Sequence, residues 1–136
     1  MENNKIWVNG CFDVMHIGHI KMLQYAKGLG SHLRVGIDGD MRVVESKGHG
    51  RPINSQESRV LFLMSLSCVD DVVIFDSDNA LIDEIIEYDP IIIVVGDEYR
   101  EVGHPASSHV RNVVYFDKIP GFSTSSILES FKDNEE

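Results

Sequence analysis

Asn9-Gly10-Cys11-Phe12-Asp13-Val14-Met15-His16-Ile17-Gly18-His19 is the stretch on which the reading of this chain turns. Before it, Lys5 to Asn9 reads as a strand that Gly10 ends. After it, Ile20, Leu23, Ala26 and Leu29 recur at helical spacing, with Gly28 and Gly30 as stop signals. His16 and His19 fall three apart at the start of that helix, on one face, so both can point at a bound anion. A helix N-terminus adds free N–H groups and the positive end of the dipole, and Gly18 lets a phosphate approach the backbone. Taken alone, the same four residues serve equally as surface or capping histidines. A zinc site would lack a third ligand at suitable spacing.

The alternation of strand and helix continues outward. Leu33 to Asp38 reads as a second strand, followed by a polar, Gly-rich loop from Glu45 to Ile53. Asn54 with Glu57 has the form of a capping box opening a helix through about Ser67. That helix is apolar nearly all round (Val60, Leu61, Phe62, Leu63, Met64, Leu66), which calls for burial on two sides and raises a homodimer as an expectation. Val72 to Phe75, the unbroken β-branched run Ile91 to Val95, and Val113 to Phe116 read as further strands; Ala80 to Tyr88 and Ser123 to about Phe131 read as helices. The pattern predicts an α/β, Rossmann-like parallel five-stranded sheet with helices on both faces, in one domain over residues 1–136. Ligands of such sheets bind at the carboxyl ends of the strands. Gly10 to His19, Asp38 to Arg51, Gly96 to Arg100 and Gly121 to Ser126 all fall there, so four unusual segments converge on one rim.

Composition narrows the function. With 136 residues and a net charge of −10, nonspecific binding to nucleic acid or to an anionic membrane is disfavoured. No apolar run reaches membrane-spanning length and the first residues lack a signal-peptide core, so a cytoplasmic location is expected. Cys11 and Cys68 make neither a disulfide framework nor a zinc site. An anionic ligand on so acidic a chain needs its basic groups gathered locally, and Lys47, Arg51 and Arg59 are the candidates.

Together these segments resemble the cytidylyltransferase-like nucleotidylyltransferases over almost the whole chain. Gly-Cys-Phe-Asp followed by His-Ile-Gly-His is similar to the family signature. Lys47-Gly48-His49-Gly50-Arg51-Pro52 is similar to its basic loop, and Arg59 to its helix arginine. Val95-Gly96-Asp97-Glu98-Tyr99 is similar to its fourth-strand motif, and Gly121-Phe122-Ser123-Thr124-Ser125-Ser126-Ile127 to its Ser/Thr motif. The resemblance implies transfer of a nucleotidyl group from a nucleoside triphosphate to a phosphorylated acceptor, with release of pyrophosphate. It assigns His16, His19, Lys47 and Arg59 to the reaction. It assigns Gly10, Cys11, Phe12, Asp13, Gly18, Gly96, Asp97, Lys118, Ser123, Thr124 and Ser125 to the nucleotide, and Asp38, Lys47, Arg51 and Arg59 to the acceptor. Magnesium is implied as the cofactor, bound mainly through phosphates, with Asp13 holding either the site's geometry or the metal.

The base and the acceptor draw on mixed signals. Gly10 to Asp13 and Lys47 to Pro52 resemble the heptose-phosphate adenylyltransferases, whereas Val95 to Tyr99 and Lys118 resemble glycerol-3-phosphate cytidylyltransferase. The second family has arginine where Lys118 stands and commonly threonine where Cys11 stands. Weight on the base-bordering region favours CTP and glycerol 3-phosphate over ATP and heptose 1-phosphate. A non-catalytic nucleotide-binding module would be expected to lack a histidine or the basic groups, and a dinucleotide oxidoreductase would need Gly-x-Gly-x-x-Gly after the first strand.

Overall fold

The computed structural model describes residues 4–96 and 103–117. At its centre, β1 (Lys5–Gly10) sends Ile6 and Val8 to one face and Trp7 to the other, all fully buried. Alternation with both faces apolar is what a strand needs when helices cover both sides. The other strands are β2 (His32–Asp38), β3 (Asp71–Phe75), β4 (Ile92–Gly96) and β5 (Val113–Phe116), and all pairings are parallel in the order β3-β2-β1-β4-β5. The predicted five strands and sheet type hold. The order reverses at β1, and a crevice opens beyond its carboxyl end.

Two helices, α1 (Ile17–Gly28) and α3 (Gln56–Met64), cover the face carrying Ile6, Val8, Val35 and Ile37, through Leu23, Ala26 and Leu63. On the opposite face, α4 (Asp78–Tyr88) packs Leu81, Ile85 and Tyr88 against Trp7, Phe75 and Ile93. Gly36 is obligatory beneath Trp7, because a Cβ there would sit 2.4 Å from the indole ring.

Two expectations need correction. Residues Asp40–Lys47 form a helix, α2, reaching into the span read as loop. Its core contact is Val43 alone, so it carries no apolar stripe to read. The N-cap of α3 is Ser55, whose hydroxyl accepts from Ser58 N at 3.2 Å, and not Asn54. Asn54 is used elsewhere, as shown below. Within the chain only one side of α3 is covered: Leu61, Phe62 and Met64 are 67%, 50% and 46% exposed, on the side for which a second subunit is expected. The helix expected at Ser123 lies outside the described residues.

Candidate active site

The loop leaving β1 is tightly bent. Phe12 and Val14 adopt left-handed backbone conformations, with φ of 53° and 55°. For a β-branched residue this conformation costs on the order of 1–3 kcal/mol and persists only where neighbours enforce it. Asp13 is one such neighbour. Its buried carboxylate accepts from Ile53 N at 2.8 Å, Asn54 N at 2.9 Å and Arg51 Nε at 2.8 Å. Burial opposes its charge, but the two backbone N–H groups and the guanidinium prevail and hold its pKa below the ordinary value. Asp13 therefore fastens the β1 loop to the entry of α3. Of the two roles expected for it, the geometry is the one its bonds serve.

The same bond involves Arg51, whose Nε is paired with Asp13 and whose side chain is 14% exposed. The expectation for Arg59 does need correction. The guanidinium is fully buried; Nε donates to Asn54 O at 3.1 Å, Nη1 to Cys11 O at 2.9 Å and Asp38 O at 2.7 Å, and Nη2 to Asp40 Oδ1 at 2.8 Å. An arginine with its donors spent on main-chain carbonyls and a carboxylate ties together the ends of β1 and β2 and the starts of α2 and α3. It shapes the rim of the sheet from within, with its donors turned to the protein.

At the start of α1 the two histidines are locked by backbone. His16 Nδ1 accepts from Gly18 N at 3.0 Å, and His19 Nδ1 accepts from His16 N at 3.2 Å. The rings stack with centroids 3.9 Å apart, and Phe12 leans on His19 at 5.2 Å. Burial lowers the pKa of His16; burial, then the charges of His16 and Lys47, bring His19 to about 4. Both rings are thus neutral at pH 7, and with Nδ1 accepting, each carries its proton on Nε2. The pair presents two uncharged N–H donors. Gly18 has a more specific reason than access for phosphate: a Cβ there would lie 2.8 Å from His16 Cε1, so only glycine lets the ring fold onto its own helix.

Beside this pair lies a cleft of about 460 Å³, lined by Asn9, Gly10, Cys11, Asp38, Arg42, Glu45, Ser46 and Lys47. Of its two cations, Arg42 is paired with Asp38 at 2.7 Å and with Asp78. Lys47 has no ion pair among the described residues, and its charge is felt by both Cys11 and His19. It is the cation available to a ligand. Asp38 lines the cleft, with its Oδ1 taken by Arg42. Gly10 and Cys11 form the floor, and burial pushes the Cys11 thiol up, away from thiolate chemistry. Gly96 ends β4; Asp97, Lys118, Ser123, Thr124 and Ser125 lie outside the described residues.

Arg42 and Asn9 line the cleft without having been expected there. Arg42 sits in the helix missed by periodicity. Asn9 was legible only by position, as the last side chain before a strand-ending glycine at the rim of a parallel sheet.

The chain is similar to known proteins in sequence and in fold. The family model described as cytidylyltransferase-like matches residues 7–129. The bifunctional protein HldE of Campylobacter jejuni (strain RM1221) is 42% identical over 98% of this chain, and that of Helicobacter hepaticus is 41% identical over 96%. The chain spans 29% and 27% of the length of these two relatives. Among solved structures, the lipopolysaccharide core biosynthesis protein from Thermoplasma volcanium GSS1 superposes with a TM-score of 0.70 at 25% identity, covering 87% of this chain and 99% of that one. A protein of unknown function from Archaeoglobus fulgidus shares the fold, with a TM-score of 0.64 at 18% identity. The chain belongs to the cytidylyltransferase-like family of nucleotidyltransferases.

Proposed function

We propose that the chain transfers AMP from ATP to a sugar phosphate of the heptose 1-phosphate kind, releasing pyrophosphate. The reading reverses the weight first given to CTP and glycerol 3-phosphate. The relatives named above, at 41–42% identity, are HldE proteins, and Gly10 to Asp13 and Lys47 to Pro52 are of the heptose-phosphate adenylyltransferase kind. A structural neighbour described by lipopolysaccharide core biosynthesis is in line with a sugar acceptor.

The observation carrying the chemistry is Lys47, a cation with no ion pair among the described residues, which lines the polar cleft and whose charge is felt by His19. An acceptor phosphate oxygen attacks the α-phosphorus, the bond to the pyrophosphate oxygen breaks, and pyrophosphate departs. The attacking oxygen is already ionised, so no protein base is required. What the site must do is hold two anions in line and stabilise charge on the leaving oxygens. His16 and His19 donate Nε2–H to the triphosphate, and Lys47 neutralises charge where the two substrates meet. Asp38, Glu45 and Ser46 supply acceptors and a donor suited to sugar hydroxyls. Asp97, Lys118, Ser123, Thr124 and Ser125 are proposed to complete the nucleotide side. Magnesium neutralises phosphate charge when it enters with the nucleotide. Asp13 is engaged by Ile53 N, Asn54 N and Arg51 Nε, and the ion would be held mainly through phosphates and water. The exposed Leu61, Phe62 and Met64 support a homodimer through α3.

A pyrophosphate-release assay crossing ATP and CTP with heptose 1-phosphate and glycerol 3-phosphate tests the assignment. The highest kcat/KM is expected for ATP with heptose 1-phosphate. Preference for CTP with glycerol 3-phosphate reverses it, and no turnover with any pairing leaves a nucleotide-binding module.

A further inference from the structure

We infer that the side-chain amide of Asn9 is a fixed hydrogen-bond donor to the phosphorylated acceptor, aimed into the cleft by Trp7 and His104. The inference rests on the cleft being the acceptor site.

Asn9 is 7% exposed and lines the cleft at the carboxyl end of the central strand. Its Oδ1 takes two partners: Trp7 Nε1 at 3.0 Å and His104 Nε2 at 2.6 Å. An indole N–H only donates. His104 is equally constrained, because its Nδ1 accepts from Ala106 N at 3.0 Å, which leaves the ring proton on Nε2. Two donors thus converge on one oxygen, and the amide cannot be reversed without setting its own N–H₂ against both. Nδ2 has no partner among the described residues. Since no buried side-chain nitrogen or oxygen there lacks one, Nδ2 is the part of Asn9 that meets the cleft.

A neutral donor has a specific use at that point. The cleft already holds two carboxylates, Asp38 and Glu45, and one unpaired cation, Lys47. A further charge would bind any anion; an amide aimed by two buried partners instead selects where an oxygen of the acceptor sits. His104 is a positioning residue for this donor. It lies far along the chain from β1, in the segment leading to a short 3-10 turn at Ser107–His109.

The test is a titration of ¹⁵N-labelled protein followed by NMR, with the Asn9 side-chain pair assigned by its loss in Asn9→Ser. Heptose 1-phosphate, glycerol 3-phosphate and inorganic phosphate are added in turn. A sugar or polyol phosphate is expected to shift the Asn9 pair saturably, together with the backbone amides of Ser46 and Lys47. His104→Phe, which removes one of the two donors that hold Oδ1, is expected to weaken that binding about tenfold while leaving triphosphate affinity within about twofold, and His104→Gln, an alternative donor, to recover most of it. Shifts at Ser46 and Lys47 with the Asn9 pair unmoved overturn the role of Asn9 and leave the acceptor site standing. Absence of any shift in the cleft with all acceptors overturns the acceptor site itself, and the Asn9 role with it. The wild-type titration decides the question even if His104→Phe does not fold.

Discussion

Arg59 Nη1 donates to the main-chain oxygen of Asp38 at 2.7 Å, joining a helix on one side of the sheet to the end of a strand beside the cleft. Through the same guanidinium it holds Cys11, Asn54 and Asp40. Replacing Arg59 with alanine strips four acceptors of their donor at a buried position. The expected loss is about 3–5 kcal/mol of unfolding free energy, with lysine recovering little because an ammonium cannot span the same four partners. Urea midpoints at constant m-value check this. Unchanged stability with collapsed kcat/KM would return Arg59 to the role of phosphate ligand.

The histidine pair is expected to behave as donors of hydrogen bonds whose placement matters as much as their presence. Alanine at His16 or His19 should lower kcat by about 100-fold or more, the scale of losing one such donor. Gly18→Ala leaves both imidazoles in the chain but forces the His16 ring off its seat, since the new Cβ would meet Cε1 at 2.8 Å and Nδ1 at 2.9 Å. Its kcat should fall by about tenfold or more, while the lost cap costs only about 1 kcal/mol of stability. Steady-state kinetics beside thermal melts separate the two effects; a Gly18→Ala enzyme at full speed would mean that ring placement is immaterial.

Much of the site's polar geometry was not written in any motif. The strands were legible because β-branched runs such as Ile91 to Val95, between Pro90 and Gly96, are bounded by breakers, and the parallel arrangement followed from their alternation with helices. That His16 and His19 stand at a helix start was legible from the strand, the glycine and the apolar periodicity around them, whereas Lys47 was singled out by the family resemblance and stands at the end of α2. Arg59 was misread because a sequence shows a charge but not its partner. Besides the nearby Asn54 carbonyl, its guanidinium is taken up by Asp40 and by the carbonyls of Cys11 and Asp38, which are distant along the chain. The cap of α3 falls one residue later than the sequence pattern suggests, because the Ser55 hydroxyl accepts from Ser58 N while Asn54 N is bound to Asp13 and fixes the chain just before the helix.

Acid should weaken the fold through its buried imidazoles before it reaches the carboxylates. His19 and His104 each have a pKa near 4 in the folded state against an ordinary 6.5, with burial as the main cause. The unfolded chain then binds more protons between those values, so stability is fully present above about pH 6.5 and declines as pH falls through about 4. For His104 the loss approaches ~3 kcal/mol. Asp13, with its pKa lowered, adds its loss only below the ordinary carboxylate range. Urea midpoints between pH 7.5 and 4 should show the decline, and His104→Phe should flatten it; an equal slope in both proteins would remove His104 from the account.

The exposed apolar residues of α3 give a prediction about assembly. Leu61, Phe62 and Met64 form an outward surface on a helix whose other side packs on the sheet. Sedimentation at micromolar concentrations is expected to give a dimer, and Phe62→Asp to give a monomer of unchanged fold. A wild-type monomer across that range would leave this surface without the proposed role.

The strand order also sets when the molecule becomes able to bind. β1 pairs with β2 across a single helix, a short closure that a nascent chain can make early, whereas Ile6 meets Ile92 only after most of the sequence has been synthesised. His104 comes later still. During biogenesis the floor of the cleft therefore precedes the group that aims Asn9, so a half-made chain can own a pocket without owning its selectivity.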